Sequence, residues 1–228
     1  MDEYQISRLR HAVSKPTYDD VVGVFEDAAI ELADNIIVDY ELDDPMLVVG
    51  MGADFEEFCA PVCASLEHHR FKLSVNCFWP DQTFNPNLSG LGEPHYDQQR
   101  RPYGEMLVHL KGSYIEDRNS HFEHCVIVTS VIADAEPMAS IVRRTREVAS
   151  CRQVEVRCAV ATGQAVADLE SLAHVNPLTT IPSIDFNYWD FEALLDQRPL
   201  KLIPRQSQWL LGRQFPELRP KKSYGLDR

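Results

Sequence analysis

HCVIVTSVIADAEPMASIVRR, residues 124–144, is the stretch from which the architecture follows. Val126, Ile127, Val128 and Val131, with the β-branched Thr129 among them, form a short apolar run of the kind that builds a strand buried on both faces. Asp134, Glu136 and Pro137 then mark a turn, and Met138–Arg146 has helical character. Strand, loop and helix open a βαβ unit, and at such junctions the free amides of the helix N-terminus are suited to hold phosphate. Here, however, the loop carries two carboxylates and a proline in place of glycines and hydroxyls.

Working outward, the same alternation recurs. Thr17–Asp39 places Val21, Val24, Phe25, Ala28, Ala29, Leu32 and Ile36 at helical spacing, with acids on the other face. Met46–Val49 reads as a buried strand, followed by a glycine-containing turn and a helix. FKLSVNCFW (71–79), EMLVHLKGSY (105–114), VEVRCAVAT (154–162) and LTTIPSIDF (178–186) read as further strands, and Gln164–His174 as a short helix. Strands alternating with helices imply an α/β fold, with a mostly parallel sheet covered on both faces. The strands are expected near 46–50, 72–78, 105–110, 124–131, 154–161 and 178–184. Residues 80–104, rich in Pro, Gly, Asn and Gln, read as a long excursion. Residues 1–187 are taken as one domain. Residues 188–228, interrupted by Pro199, Pro204, Pro216 and Pro220, form a basic, irregular C-terminal segment packing on or extending from it.

With 228 residues, 44% of them hydrophobic, the chain supports one domain with a sizeable core. No apolar run reaches the ~20 residues that span a bilayer. The N-terminal MDEYQISRLRHAV has neither the apolar core of a signal peptide nor the acid-poor character of a transit peptide, so a cytoplasmic location is expected. The six cysteines are scattered and read as reduced, buried small hydrophobes. Cys59 and Cys63, at i and i+4, together with His121 and His124 are the candidate metal ligands. No zinc-type pair is present, and no metal site is assigned.

The net charge of −13 is polarised: residues 1–60 hold 15 acids against 3 bases, and residues 198–228 hold 8 bases against 2 acids. Either the tail folds back on a solvated acidic surface, or it binds a partner. The acidic bulk excludes general nucleic-acid binding, which needs a basic footprint.

Four stretches resemble the uracil phosphoribosyltransferase group of type I phosphoribosyltransferases. RLRHAVSKPTYDDVVGVFEDAAIEL is similar to that family's N-terminal segment and first helix, and MLVVGMGADFEEF to its strand and pyrophosphate-binding turn. VIVTSVIADAEPMASI is similar to the strand and loop that hold the 5-phosphate of phosphoribosyl pyrophosphate. VRCAVATGQAVADLESLAHVNPLTTIPSIDFN is similar to the strand–helix–strand that follows. The resemblance implies the type I phosphoribosyltransferase fold, with residues 80–104 in the place of a protruding β-arm. It further implies a homo-oligomer or protein complex, a nucleotide-type small-molecule ligand and, in an active member, Mg²⁺.

Against the family pattern, the site positions are degenerate. Thr129 stands where the acid that contacts ribose belongs, followed by Ser130, and Asp134, Ala135, Glu136 and Pro137 replace the phosphate-binding Thr-Gly-Gly-Ser. Gly52, Ala53 and Asp54 replace a pyrophosphate turn that carries an arginine. Asp185, Pro204, Gly212 and Arg213 are the candidate remnants of the base and ribose site. No catalytic residue is assigned.

Three readings follow. The favoured one is a catalytically impaired homologue serving as a scaffold, assembly or regulatory subunit. The alternative is a divergent but active uracil or base phosphoribosyltransferase of pyrimidine salvage, using cations such as Arg100, Arg101, Arg205 or Arg213. The third is a different enzyme, in which Asp54, Asp134 and Glu136 cluster at the sheet's C-terminal edge and bind Mg²⁺ through oxygens.

Overall fold

In the computed structural model, which describes residues 3–14, 17–84, 95–96, 102–103, 106–116, 120–195 and 208–214, all the expected strands lie in one sheet. Two helices, α1 (Glu3–Ser14) and α2 (Tyr18–Asp39), precede β1 (Met46–Met51). A π-helical turn (Phe55–Cys59) leads into α3 (Ala60–His68), then β2 (Leu73–Phe84). Within the excursion, β3 (His95–Tyr96) and β4 (Pro102–Tyr103) pair with each other. There follow β5 (Met106–Ile115), β6 (His121–Ile132), α4 (Ala135–Val148), β7 (Ser150–Thr162), α5 (Gly163–Leu169) and β8 (His174–Ile181). Two short helices, α6 (Tyr188–Leu195) and α7 (Gln208–Gln214), stand in the proline-interrupted segment, where the sequence pattern showed no periodicity.

The strand order is β5-β2-β1-β6-β7-β8, with β5 antiparallel to β2 and all other neighbours parallel. The excursion begins later than its composition suggests: residues 80–84 continue β2, paired with residues 106–110 of β5 past a bulge at Trp79/Pro80. The rest of that excursion, residues 85–94, 97–101 and 104–105, lies outside the described residues.

Alternate residues of the central strands serve opposite faces, as a period of two requires. Val48, Val75, Cys77, Val126, Val128 and Ala159 pack under α1, α2 and α3. Leu47, Val49, Phe78, Ile127, Val156 and Cys158 pack under α4 and α5. All of β1 is buried, which accounts for its unbroken apolar run. Phe191 and Leu195 of α6 and Trp209 and Leu210 of α7 enter the first of these cores, so these two helices share the domain's interior. Helix α2 ends on Asp39, a poor residue for a helix C-terminus. Arg157 of β7 answers it at 2.8 Å.

Two local details set the site. β1 stops pairing with β6 at Gly50 and Val128, whereas β6 runs on beside β7 as far as Ile132 and Ala161. Past Val128, the β1 side of β6 therefore lacks a strand partner. Gly50 is the point where the chain after β1 folds back: a Cβ there would lie 2.3 Å from the Phe55 ring and 2.8 Å from Cys59 Sγ.

Candidate functional site

The turn after β1 and the loop after β6 lie side by side at the C-terminal edge of the parallel strands, where open α/β sheets place their ligands. An amide of β6 without a strand partner must find another acceptor. Asp54 supplies it. Its Oδ2 accepts from Ser130 N at 2.5 Å, Ser130 Oγ at 2.6 Å and Thr129 Oγ1 at 3.0 Å. Thr129, Ser130 and Asp54 are all buried, and among the described residues Asp54 Oδ1 has no hydrogen-bond partner. Burial pushes the Asp54 carboxyl above the ordinary carboxylate value, against the three hydrogen bonds, which favour its charged form. One amide and two hydroxyls converging on one oxygen is the donor set an anion needs, and the chain's own carboxylate holds it.

The neighbouring turn is filled by an indole. Trp79 of β2 lies over Gly52, so closely that a Cβ on Gly52 would fall 2.2–2.5 Å from its ring atoms. Gly52 N extends the ladder to Phe78 O at 2.7 Å. Ala53 beside it is buried. A glycine here serves the approach of Trp79, and the turn offers no cation.

The loop between β6 and α4 is only Ala133 and Asp134. Asp134 occupies the N-cap of α4 with extended backbone, but its side chain makes no cap bond. Of the two amides a capping oxygen can take, those of the second and third helical residues, Pro137 removes the third. Asp134 Oδ2 instead accepts from Tyr188 N at 3.1 Å, tying the loop to the start of α6. Ala135 is half-buried, Glu136 is exposed in the first turn of α4, and Pro137 is buried. Of the two carboxylates in this loop, Asp134 thus faces a backbone amide 54 positions away. The Mg²⁺ cluster is corrected, because Asp54 turns inward to Ser130 while Asp134 turns to Tyr188. Among the described residues no group of three or more His, Cys, Asp or Glu is placed to share a metal ion.

The remaining candidates are dispersed. Asp185 is exposed in the bend between β8 and α6, and Gly212 is buried within α7. Arg213 lies at the opposite edge of the sheet from Asp54. It binds Glu116 Oε1 and Oε2 at 2.8 Å, the carboxylate of Glu67, and the carbonyl of Leu73, where β2 begins, at 3.2 Å. Burial works against its charge, but the Glu116 and Glu67 carboxylates outweigh it and hold the guanidinium above its ordinary value. Pro204, like Arg100, Arg101 and Arg205, lies outside the described residues. Of the candidate metal ligands, Cys59 and Cys63 lie 4.0 Å apart in the core, while His124 approaches Asp44 and His121 approaches Ser150. Trp79 and Tyr188 were not among the sequence candidates. The signal for Trp79 was a turn glycine followed by a strand ending in tryptophan, and nothing local marked Tyr188.

No family model and no curated protein matches the chain. Among solved structures it is similar to the AQ2163 protein from Aquifex aeolicus at 10% identity and a TM-score of 0.53, over 82% of this chain and 86% of that one. It is similar to a hypoxanthine-guanine phosphoribosyltransferase of L. donovani at 15% identity and a TM-score of 0.45, over 72% and 79%. A hypoxanthine-guanine phosphoribosyltransferase of Bacillus anthracis gives 12% identity and a TM-score of 0.42, over 69% and 79%. The first of these likenesses is one of fold. The uracil-specific resemblance rests on the sequence motifs alone.

Proposed function

We propose that this chain is a phosphoribosyltransferase-like protein that does not transfer phosphoribose and serves as a scaffold, assembly or regulatory subunit. One observation carries the reading: the buried Asp54 carboxylate holds the Ser130 amide and the hydroxyls of Thr129 and Ser130. A phosphate entering there must displace a carboxylate with three hydrogen bonds or sit beside it. At a few ångströms, each like-charge contact costs about 1–4 kcal/mol at effective dielectrics between 80 and 20. The indole over Gly52 and the missing amide of Pro137 support the same reading.

The test is calorimetry of the purified chain with phosphoribosyl pyrophosphate, uracil, UMP and Mg²⁺, alongside an assay for UMP formation. The expected outcome is no heat with the donor and no product. Tight donor binding or UMP formation overturns the reading in favour of a divergent, active transferase.

A further inference from the structure

On the α4 side of the sheet, a cleft of about 580 Å³ runs between the edge strand β5 and helix α4. Its floor includes Val108 and Leu110, and its far wall is one stripe of α4: Ser140, Arg143, Arg144 and Glu147. β5 pairs with β2 on one long side, and among the described residues its other side meets no strand. In an antiparallel pair, alternate residues turn N–H and C=O away from the partner, so that side presents a row of backbone groups.

The charges in the cleft are of two kinds. Lys111 is held by Glu192 at 3.1 Å and Asp81 at 3.7 Å with its side chain 17% exposed, so its charge is already answered inside the fold. Arg143 is exposed, and Arg144 pairs with Glu147 one helical turn away at 2.8 Å. Both members of that pair are well exposed, so it is weak and exchangeable. In a chain of net charge −13, the wall thus offers two arginines against one glutamate.

A strand edge unpaired among the described residues, on a sheet whose face carries a helix with cations nearby, is the geometry for adding an extended peptide as a further strand. We infer that the β5/α4 cleft binds an extended acidic peptide of a partner protein. Every second side chain of the peptide turns toward α4, and these side chains supply both the apolar contact with Val108 and Leu110 and the carboxylates that meet Arg143 and Arg144. Six peptide residues cover roughly 20 Å of strand edge. Charge complementarity selects the occupant: the C-terminal segment of this chain is basic, and its acidic α2 is a helix without a free strand edge. A nucleic acid fits less well, because it cannot use the strand edge and is repelled by the acidic bulk. The inference names a partner class for the assembly role proposed above, and its test is independent of donor binding.

The full chain is immobilised and panned with a random 12-residue peptide library, and the enriched peptides are synthesised and titrated by fluorescence anisotropy. Peptides that carry apolar and acidic residues together at every second position are expected. Their affinity should fall roughly tenfold or more on Arg143→Glu, and less on Arg143→Gln, as loss of a charge-assisted hydrogen bond predicts. N-methylation of alternate peptide amides should abolish binding, and hydrogen exchange at residues 107–113 should slow in the complex. Any of four results overturns the inference: no enrichment, enrichment of basic or uncharged peptides, unchanged affinity in folded Arg143→Glu and Arg144→Glu variants, or equal binding of a single-stranded oligothymidine. Donor binding by the unmodified chain would overturn the proposed function and leave the peptide result unaffected.

Discussion

Asp54 binds its proton more tightly in the folded chain than in the unfolded one, because burial raises its folded value. The sign follows from linkage. Its contribution to stability is fully present below the unfolded value of about 4 and is lost as pH rises through the raised folded value. Asp54→Asn keeps one oxygen for the three donors and removes the titration. The wild type should therefore lose stability relative to Asp54→Asn as pH rises from about 4 toward neutrality, measured by urea unfolding at a series of pH values. A difference that stays constant across the series would show that Asp54 does not titrate as its burial requires. The residue was legible as a departure from a family pattern. Its partners were not, since Ser130 lies 76 positions away.

At the scale of the elements, the β1 turn and the end of β2 are one packed unit. Gly52→Ala drives a methyl group into the Trp79 indole and should cost about 1–3 kcal/mol, the usual range for overpacking. In a Trp79→Ala background that cost should vanish, giving a coupling of about 0.5–3 kcal/mol in a double-mutant cycle measured by urea unfolding. Additive effects would mean that the indole is not what requires the glycine. The two-residue loop before α4 belongs to the same scale. Its strand–loop–helix order was readable from Val126–Arg146, and so were the acids and the proline it carries. That Asp134 instead anchors α6 through Tyr188 N was not readable, because a backbone amide donor leaves no mark on residue type.

Across the whole molecule, α7 fastens opposite edges of the sheet. Trp209 packs on Phe55 near the site, with ring centroids 5.9 Å apart, while Arg213 reaches the start of β2 and the carboxylates of Glu67 and Glu116. Arg213→Ala should lower stability by about 1–2 kcal/mol, a figure reduced for the partial exposure of both glutamates. Arg213→Lys should recover only part of that, since one ammonium cannot replace a fork engaging two carboxylates and a carbonyl. Thermal denaturation of the three proteins checks this, and a lysine variant as stable as the wild type would count against the fork.

Local pattern alone determined that this chain alternates strands and helices, that its central strands are buried on both faces, and that the loop after β6 carries two acids and a proline. Each of these is written in a window of a few residues, through hydrophobic period, proline and charge. The helices α6 and α7 escaped because each is under nine residues, and both are held by packing on the core rather than by periodicity of their own. Tertiary structure alone decided where the polar groups point. Asp54 meets Ser130 because β1 ends its ladder before β6 does, and Arg213 meets Glu116, 97 positions away, because α7 crosses to the far edge of the sheet. Such pairings depend on register and chain crossing, which residue type does not encode.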